Sequence, residues 1–173
     1  MLRIFKATEK NIDDILSIRI EMLKEVNSLS EEYKFDESFI KATENYFANA
    51  QQSTILAYSD DEVIGCATLC YLELLPTYEH QNGKRARLMN VYTKKDFRRQ
   101  GIASTMLYML IEEAKEKGVT EITLDATGQG TKLYKRYGFV PSDECMVLNF
   151  SELLKRNIAN FEKYGCHIHK CEC

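Results

Sequence analysis

The sequence predicts a single α/β domain built on a mixed central sheet, antiparallel in its N-terminal strands, parallel at one pair and flanked by helices. Three observations carry this expectation. Strand-length apolar runs alternate with two amphipathic segments in the first half of the chain. A short apolar run, 88–91, then passes through a basic turn into a helical pattern of Ile102, Met106, Leu107, Leu110, Ile111 and Ala114. Finally, Glu121 to Ala126 alternates as a further strand, and a strand, a helix and a strand in one sheet require a parallel pair with a right-handed crossover.

The first strand is expected over Leu2 to Lys6, where apolar and charged residues alternate. Asn11 is placed to cap a helix whose apolar positions are Ile12, Ile15, Leu16, Leu23 and Val26, with Asp13 and Asp14 in the first turn. A weaker helix, 38–50, carries Phe39, Ile40, Tyr46 and Phe47. Thr54 to Tyr58 and Val63 to Leu72 read as an antiparallel pair joined by the turn-forming 59–62. Asn82-Gly83 suits a type I′ hairpin, which would return the chain into the strand ending at Val91. The helix 101–117 should stop at Gly118. A short helix from Thr131 to Tyr137, a last strand from Cys145 to Phe150 and a closing helix from Ser151 to Tyr164 complete the order. The domain is expected over 1–150, with 151–173 as a C-terminal helix and Cys/His-rich tail packed on it or trailing from it.

A chain of 173 residues suits one domain with a substantial core. Its net charge of −3 argues against a general nucleic-acid binder, so the basic turn is a local feature suited to a small anion. The absence of a long apolar run points to a cytoplasmic protein without membrane contact. Cys66, Cys70 and Cys145 fall in strand-like runs and read as buried hydrophobes. The tail 166–173 holds three cysteines and two histidines, ligand types suited to zinc or copper, but not at the spacing of a known finger, and no metal is assigned.

The basic turn carries Lys94, Lys95, Arg98 and Arg99 and leads through Gly101 into the helix. Backbone N–H groups at a helix start attract anions, because they lack partners within the helix and the macrodipole is positive there. The string Arg98-x-x-Gly101-x-Ala103 resembles the Q/R-x-x-G-x-G/A pyrophosphate loop of the GNAT superfamily of acyl-coenzyme A N-acetyltransferases, with alanine at the last position. Leu133-Tyr134-Lys135-Arg136-Tyr137-Gly138-Phe139 is similar to the family's L-Y-x-x-x-G-F segment, and 124–127 resembles the end of its fifth strand.

This resemblance covers about residues 1–150. It implies a fourth and fifth strand splayed to admit acetyl-coenzyme A, with acetyl-coenzyme A as cosubstrate and an amine or peptide amine as acceptor. By position, Asn90, Val91 and Tyr92 would meet the pantetheine arm, while Arg98, Arg99, Gln100, Gly101, Ile102, Ala103 and Ser104 would hold the pyrophosphate. A homodimer is compatible with the family. Direct attack of a primary amine on the thioester in a ternary complex needs an oxyanion donor, a neutral amine and a group to assist the departing thiolate. A backbone N–H near Val91 would serve as the oxyanion donor. Tyr134 stands at the position of the family's general-acid tyrosine, against its reading as a packed aromatic. Glu73, at the end of the long strand, is the candidate base, against its reading as a solvated strand end. The acidic residues Glu21, Glu25, Glu31, Glu32, Glu73 and Glu79 suggest a cationic amine, although a solvated acidic face reads equally from them. A non-catalytic acyl-coenzyme A sensor using the same cleft is the alternative function.

Overall fold

Among the described residues five strands form one sheet in the order β1-β2-β3-β4-β5: β1 (Leu2–Lys6), β2 (Gln52–Ser59), β3 (Glu62–Glu73), β4 (Lys84–Thr93) and β5 (Glu121–Thr123). The first four pair antiparallel, and β4 pairs parallel with β5. The helices are α1 (Ile12–Val26), α2 (Glu37–Asn49), α3 (Ile102–Glu116) and α4 (Thr131–Arg136). This is the mixed, helix-flanked sheet expected from the sequence. The computed structural model describes residues 1–142 and Met146, so the expected strand from Cys145 and the helix from Ser151 lie outside the described residues. Met1–Leu133 forms one unit, and a second begins at Tyr134.

The central strands β2 and β3 are buried through most of their length, which is why they read as continuous apolar runs rather than as alternating ones. Side chains of alternate residues take opposite faces. One face packs Leu56, Tyr58, Cys66 and Tyr92 against Ile15 and Ile18 of α1 and Phe47 of α2. The other meets α3, whose buried stripe is Ile102, Met106, Leu107, Leu110 and Ala114. Glu113 fastens that helix to three strands: its carboxylate accepts from Lys6 Nζ at 2.8 Å, Ser53 Oγ at 2.6 Å and Tyr71 OH at 3.0 Å.

Three local expectations are corrected. Asn11 does not cap α1 through its side chain; it ends a 3-10 turn (Glu9–Asn11), and its Oδ1 accepts from the Thr8 N–H at 3.0 Å. Asn82-Gly83 is not a two-residue hairpin turn, because ten residues separate β3 from β4 and only Gly83 of the two has a positive φ, +67°. Asn82 instead uses its side chain: Oδ1 accepts from Lys84 N–H at 2.9 Å and Nδ2 donates to Gly118 O at 2.8 Å. β5 is three residues long rather than six, and its ladder covers only Arg85, Ala86 and Arg87 of β4.

Candidate active site

The short pairing of β5 leaves 88–93 of β4 without a strand neighbour on that side among the described residues. Within this stretch β4 carries a bulge. Thr68 pairs with Met89 and Cys66 with Tyr92, so β4 uses one more residue than β3 between the same two pairs. Asn90 absorbs the irregularity at φ +57°, a left-handed conformation that asparagine tolerates better than most residues. Its carbonyl accepts from Cys66 Sγ at 3.1 Å, and burial pushes that thiol's pKa up to about 12. The same bulge reverses side-chain parity along β4.

Beyond the bulge the chain enters the basic turn through a 3-10 turn (Lys95–Phe97). Arg99 and Gly101 adopt φ of +64° and +83° before α3 begins. A Cβ at Gly101 would meet nothing within 4 Å, so glycine is required there by the backbone conformation and not by crowding. The N–H groups of Gly101, Ile102 and Ala103 precede the first intrahelical bond, Thr105 N–H to Gly101 O at 2.9 Å. Arg99 is exposed, and its side chain makes no hydrogen bond or ion pair among the described residues. Gln100 is also exposed, and its Nε2 donates to Asp96 O at 3.3 Å. Ser104 is half-buried on the first turn of α3.

Arg98 is placed differently. Its Nε donates to Thr93 O at 2.7 Å, its NH2 group meets both Glu25 carboxylate oxygens at 2.8 and 2.9 Å, and its guanidinium lies 5.6 Å from the Tyr92 ring centroid. Burial opposes the Glu25 charge, but hydrogen bonds from Arg98 and Tyr92 more than offset it and hold the carboxyl below its ordinary range. The Tyr92 phenol donates to Glu25 at 2.9 Å and sits 3.2 Å from Glu21, and burial with these carboxylates raises its pKa. Lys94 pairs with Glu21 at 3.0 Å and with Glu62 at 2.8 Å. Thus Glu21 and Glu25, read from sequence as an acceptor-facing acidic patch, are engaged in tying α1 to the basic turn.

Tyr134 lies on α4, is 9% exposed and sits edge-on to Phe139 with ring centroids 5.9 Å apart. Burial raises its phenol pKa, so it stays protonated at neutral pH and is able to donate. Glu73 is exposed at the end of β3 opposite Lys84. It is five residues beyond Thr68, about 17 Å at roughly 3.3 Å per residue. The structure joins the end of β4 to the turn through Arg98, which meets the Thr93 carbonyl and the Tyr92 ring, and sets Glu73 well along β3 from the bulge.

Sequence reading missed Arg19. Its NH1 donates to Asn90 Oδ1 at 3.1 Å, directly at the bulge. The signal was present: Arg19 stands four residues after Ile15 and seven after Ile12, a charge on the apolar stripe of α1. Among the described residues there is no metal-binding cluster of His, Cys, Asp or Glu, and no helix is long and apolar enough to cross a membrane. The Cys/His-rich tail lies outside the described residues.

Comparison with known proteins bears on the same features. A sequence profile of the Acetyltransferase (GNAT) family matches residues 20–139. The pig (Sus scrofa) thialysine N-epsilon-acetyltransferase is 29% identical over 139 residues, covering 77% of this chain and 81% of its own length. A "predicted acetyltransferase with acetyl-CoA" from Clostridium acetobutylicum has a crystal structure that matches with a TM-score of 0.77 at 32% identity, over 88% of this chain and 98% of its own. A GCN5-related N-acetyltransferase from Ralstonia eutropha shares the fold at 18% identity with a TM-score of 0.72, over 86% of this chain and 99% of its own.

Proposed function

The chain belongs to the GNAT acetyltransferase family and is an acetyl-coenzyme A-dependent acetyltransferase, and from that premise we propose that it acetylates a primary amine by direct attack in a ternary complex. The observation that carries the reading is the edge of β4 at the Asn90 bulge, which has no strand neighbour among the described residues and is continuous with the turn that leads into α3. Those features fit the cosubstrate. An extended pantetheine amide chain matches free strand backbone, and a pyrophosphate matches helix-start N–H groups beside an uncommitted arginine. When bound, acetyl-coenzyme A supplies an activated acyl group and a thiolate leaving group.

In this reading Asn90, Val91 and Tyr92 offer backbone to the pantetheine arm. Gly101, Ile102, Ala103 and Ser104 offer the start of α3 to the pyrophosphate, with Arg99 as the mobile counter-charge and Gln100 beside it. Arg98 contributes by shaping the turn through Glu25 and Thr93. The backbone near Val91 donates to the thioester oxygen as charge builds on it. By its place in the L-Y-x-x-x-G-F segment Tyr134 is the acid of this reading: it protonates the departing sulfur and regains, through water, the proton that the amine nitrogen sheds as the amide forms. Glu73 is too far along β3 for the base's task, so the amine loses its proton to water before it attacks. A primary amine on a flexible carbon chain is the acceptor class that the thialysine acetyltransferase relative supports.

Substituting Tyr134→Phe tests the assignment. The expected result is a fall in kcat of about a hundredfold, the lower range for loss of a general acid, while the acetyl-coenzyme A dissociation constant measured by calorimetry changes less than threefold. A variant that keeps kcat would remove Tyr134 from the chemistry.

A further inference from the structure

Three arginines approach the sheet on the face covered by α1. The register before the bulge puts Arg87 level with Cys70 and Arg85 level with Leu72, on the face that also carries Thr68 and Met89. Arg87 pairs with Asp125, and Arg85 with Glu121 at 3.3 Å. Arg19 is the exception. It is half-buried, its surroundings include Cys66, Cys70 and Tyr46, and it has no carboxylate partner among the described residues. Its polar contact is the amide oxygen of Asn90, while its own Nε and the Nδ2 of Asn90 are buried without partners among the described residues. Asn90 itself is only 8% exposed.

A part-buried guanidinium without an anion is costly, and burial lowers the Arg19 pKa accordingly. Buried cations in folded proteins are paired, and no described residue supplies the anion, which leaves a bound ligand as its source in this reading. Arg19 meets the Asn90 bulge, where the proposed function sets acyl transfer, from the face of the sheet that α1 covers. The nearby acids cannot fill the gap, since Glu21 is held by Lys94 and Glu25 by Arg98.

We infer that Arg19, held in place by Asn90, reads a carboxylate on the acceptor, so that the substrate is an amine that also carries an anionic group rather than a purely cationic amine. This rests on the amine-acetyltransferase reading above and narrows it. A carboxylate fits a guanidinium as a charge-assisted, two-point contact. The acceptor thus enters with its anionic end against α1 and its neutral amine toward β4. Arg19 acts in specificity and touches no reacting atom.

The test uses matched pairs of acceptors with acetyl-coenzyme A, read by mass spectrometry of the acetylated product: L-lysine against L-lysinamide, and 4-aminobutanoate against its carboxamide. Wild type is expected to favour the acid over the amide by at least tenfold in kcat/KM, chiefly through KM. Arg19→Met should bring that ratio to about one. Arg19→Lys, which keeps the charge without the fork and covers the event that Arg19→Met does not fold, should retain only part of the preference. A wild-type ratio near one, or a ratio that Arg19→Met and Arg19→Lys leave unchanged, overturns the inference and leaves the acetyltransferase reading standing. A wild type that binds acetyl-coenzyme A yet acetylates neither member of any pair overturns the amine-acceptor reading and this inference together.

Discussion

Arg98 is held by the protein itself, through Glu25 and the Thr93 carbonyl. Its bonds to Glu25 and Thr93 are mostly shielded, with side-chain exposures of 29% for Arg98 and 26% for Glu25. Arg98→Ala should therefore cost about 2 kcal/mol of stability by urea unfolding, because a part-buried carboxylate loses its charged partner. Glu25→Gln in the same background should add less than its separate cost, the signature of a coupled pair. Protonation gives a second residue-scale expectation. With Glu73 set along β3 from the bulge and Glu21 and Glu25 held by Lys94 and Arg98, kcat/KM should rise with pH at unit slope and level off at the acceptor amine's own pKa, moving when a less basic amine is used. An inflection that stays fixed across amines would reveal a protein base. The arginine and alanine of the turn were legible because the motif fixes their spacing. The inward set of Arg98 and the engagement of Glu21 and Glu25 were not, since ion pairs between residues more than 70 positions apart leave no local pattern.

At the scale of elements, α3 is anchored by Glu113 as well as by its apolar stripe. Burial disfavours that carboxylate, but hydrogen bonds from Lys6, Ser53, Lys117 and Tyr71 more than compensate and lower its pKa from 4.5 to about 2. A depressed acid stabilises the fold fully above its unfolded pKa and loses that contribution as pH falls through the folded one. Glu113→Gln should accordingly cost about 2 to 3 kcal/mol at pH 7, and the stabilities of variant and wild type should converge between pH 5 and pH 2 when measured by urea unfolding. A gap independent of pH would mean that shape, not charge, anchors the helix. Most elements were readable from periodicity, as β1 and α3 show, because each has a single buried face or a long apolar run. The bulge at Asn90 and the early end of β5 were not readable from periodicity, since both are set by pairing with other strands.

For the whole molecule, β4 stays paired with β3 up to Thr93 but, among the described residues, with β5 only up to Arg87, which leaves an opening beside β4, while α1 ties down the basic turn that follows. The central claim is that this opening, with the start of α3, receives acetyl-coenzyme A through Arg99 and backbone N–H groups. Calorimetric titration of the full chain with acetyl-coenzyme A, coenzyme A and ATP, for wild type and Arg99→Glu, tests it most directly. Arg99 is exposed and makes no hydrogen bond or ion pair among the described residues, so its reversal should leave the melting temperature nearly unchanged. Wild type should bind both coenzymes more tightly than ATP, and the reversal should weaken both by at least tenfold, about 1.4 kcal/mol or more. Equal affinities for the folded variant and wild type would contradict the account of the pyrophosphate site, and a wild type that binds neither coenzyme would contradict the account as a whole.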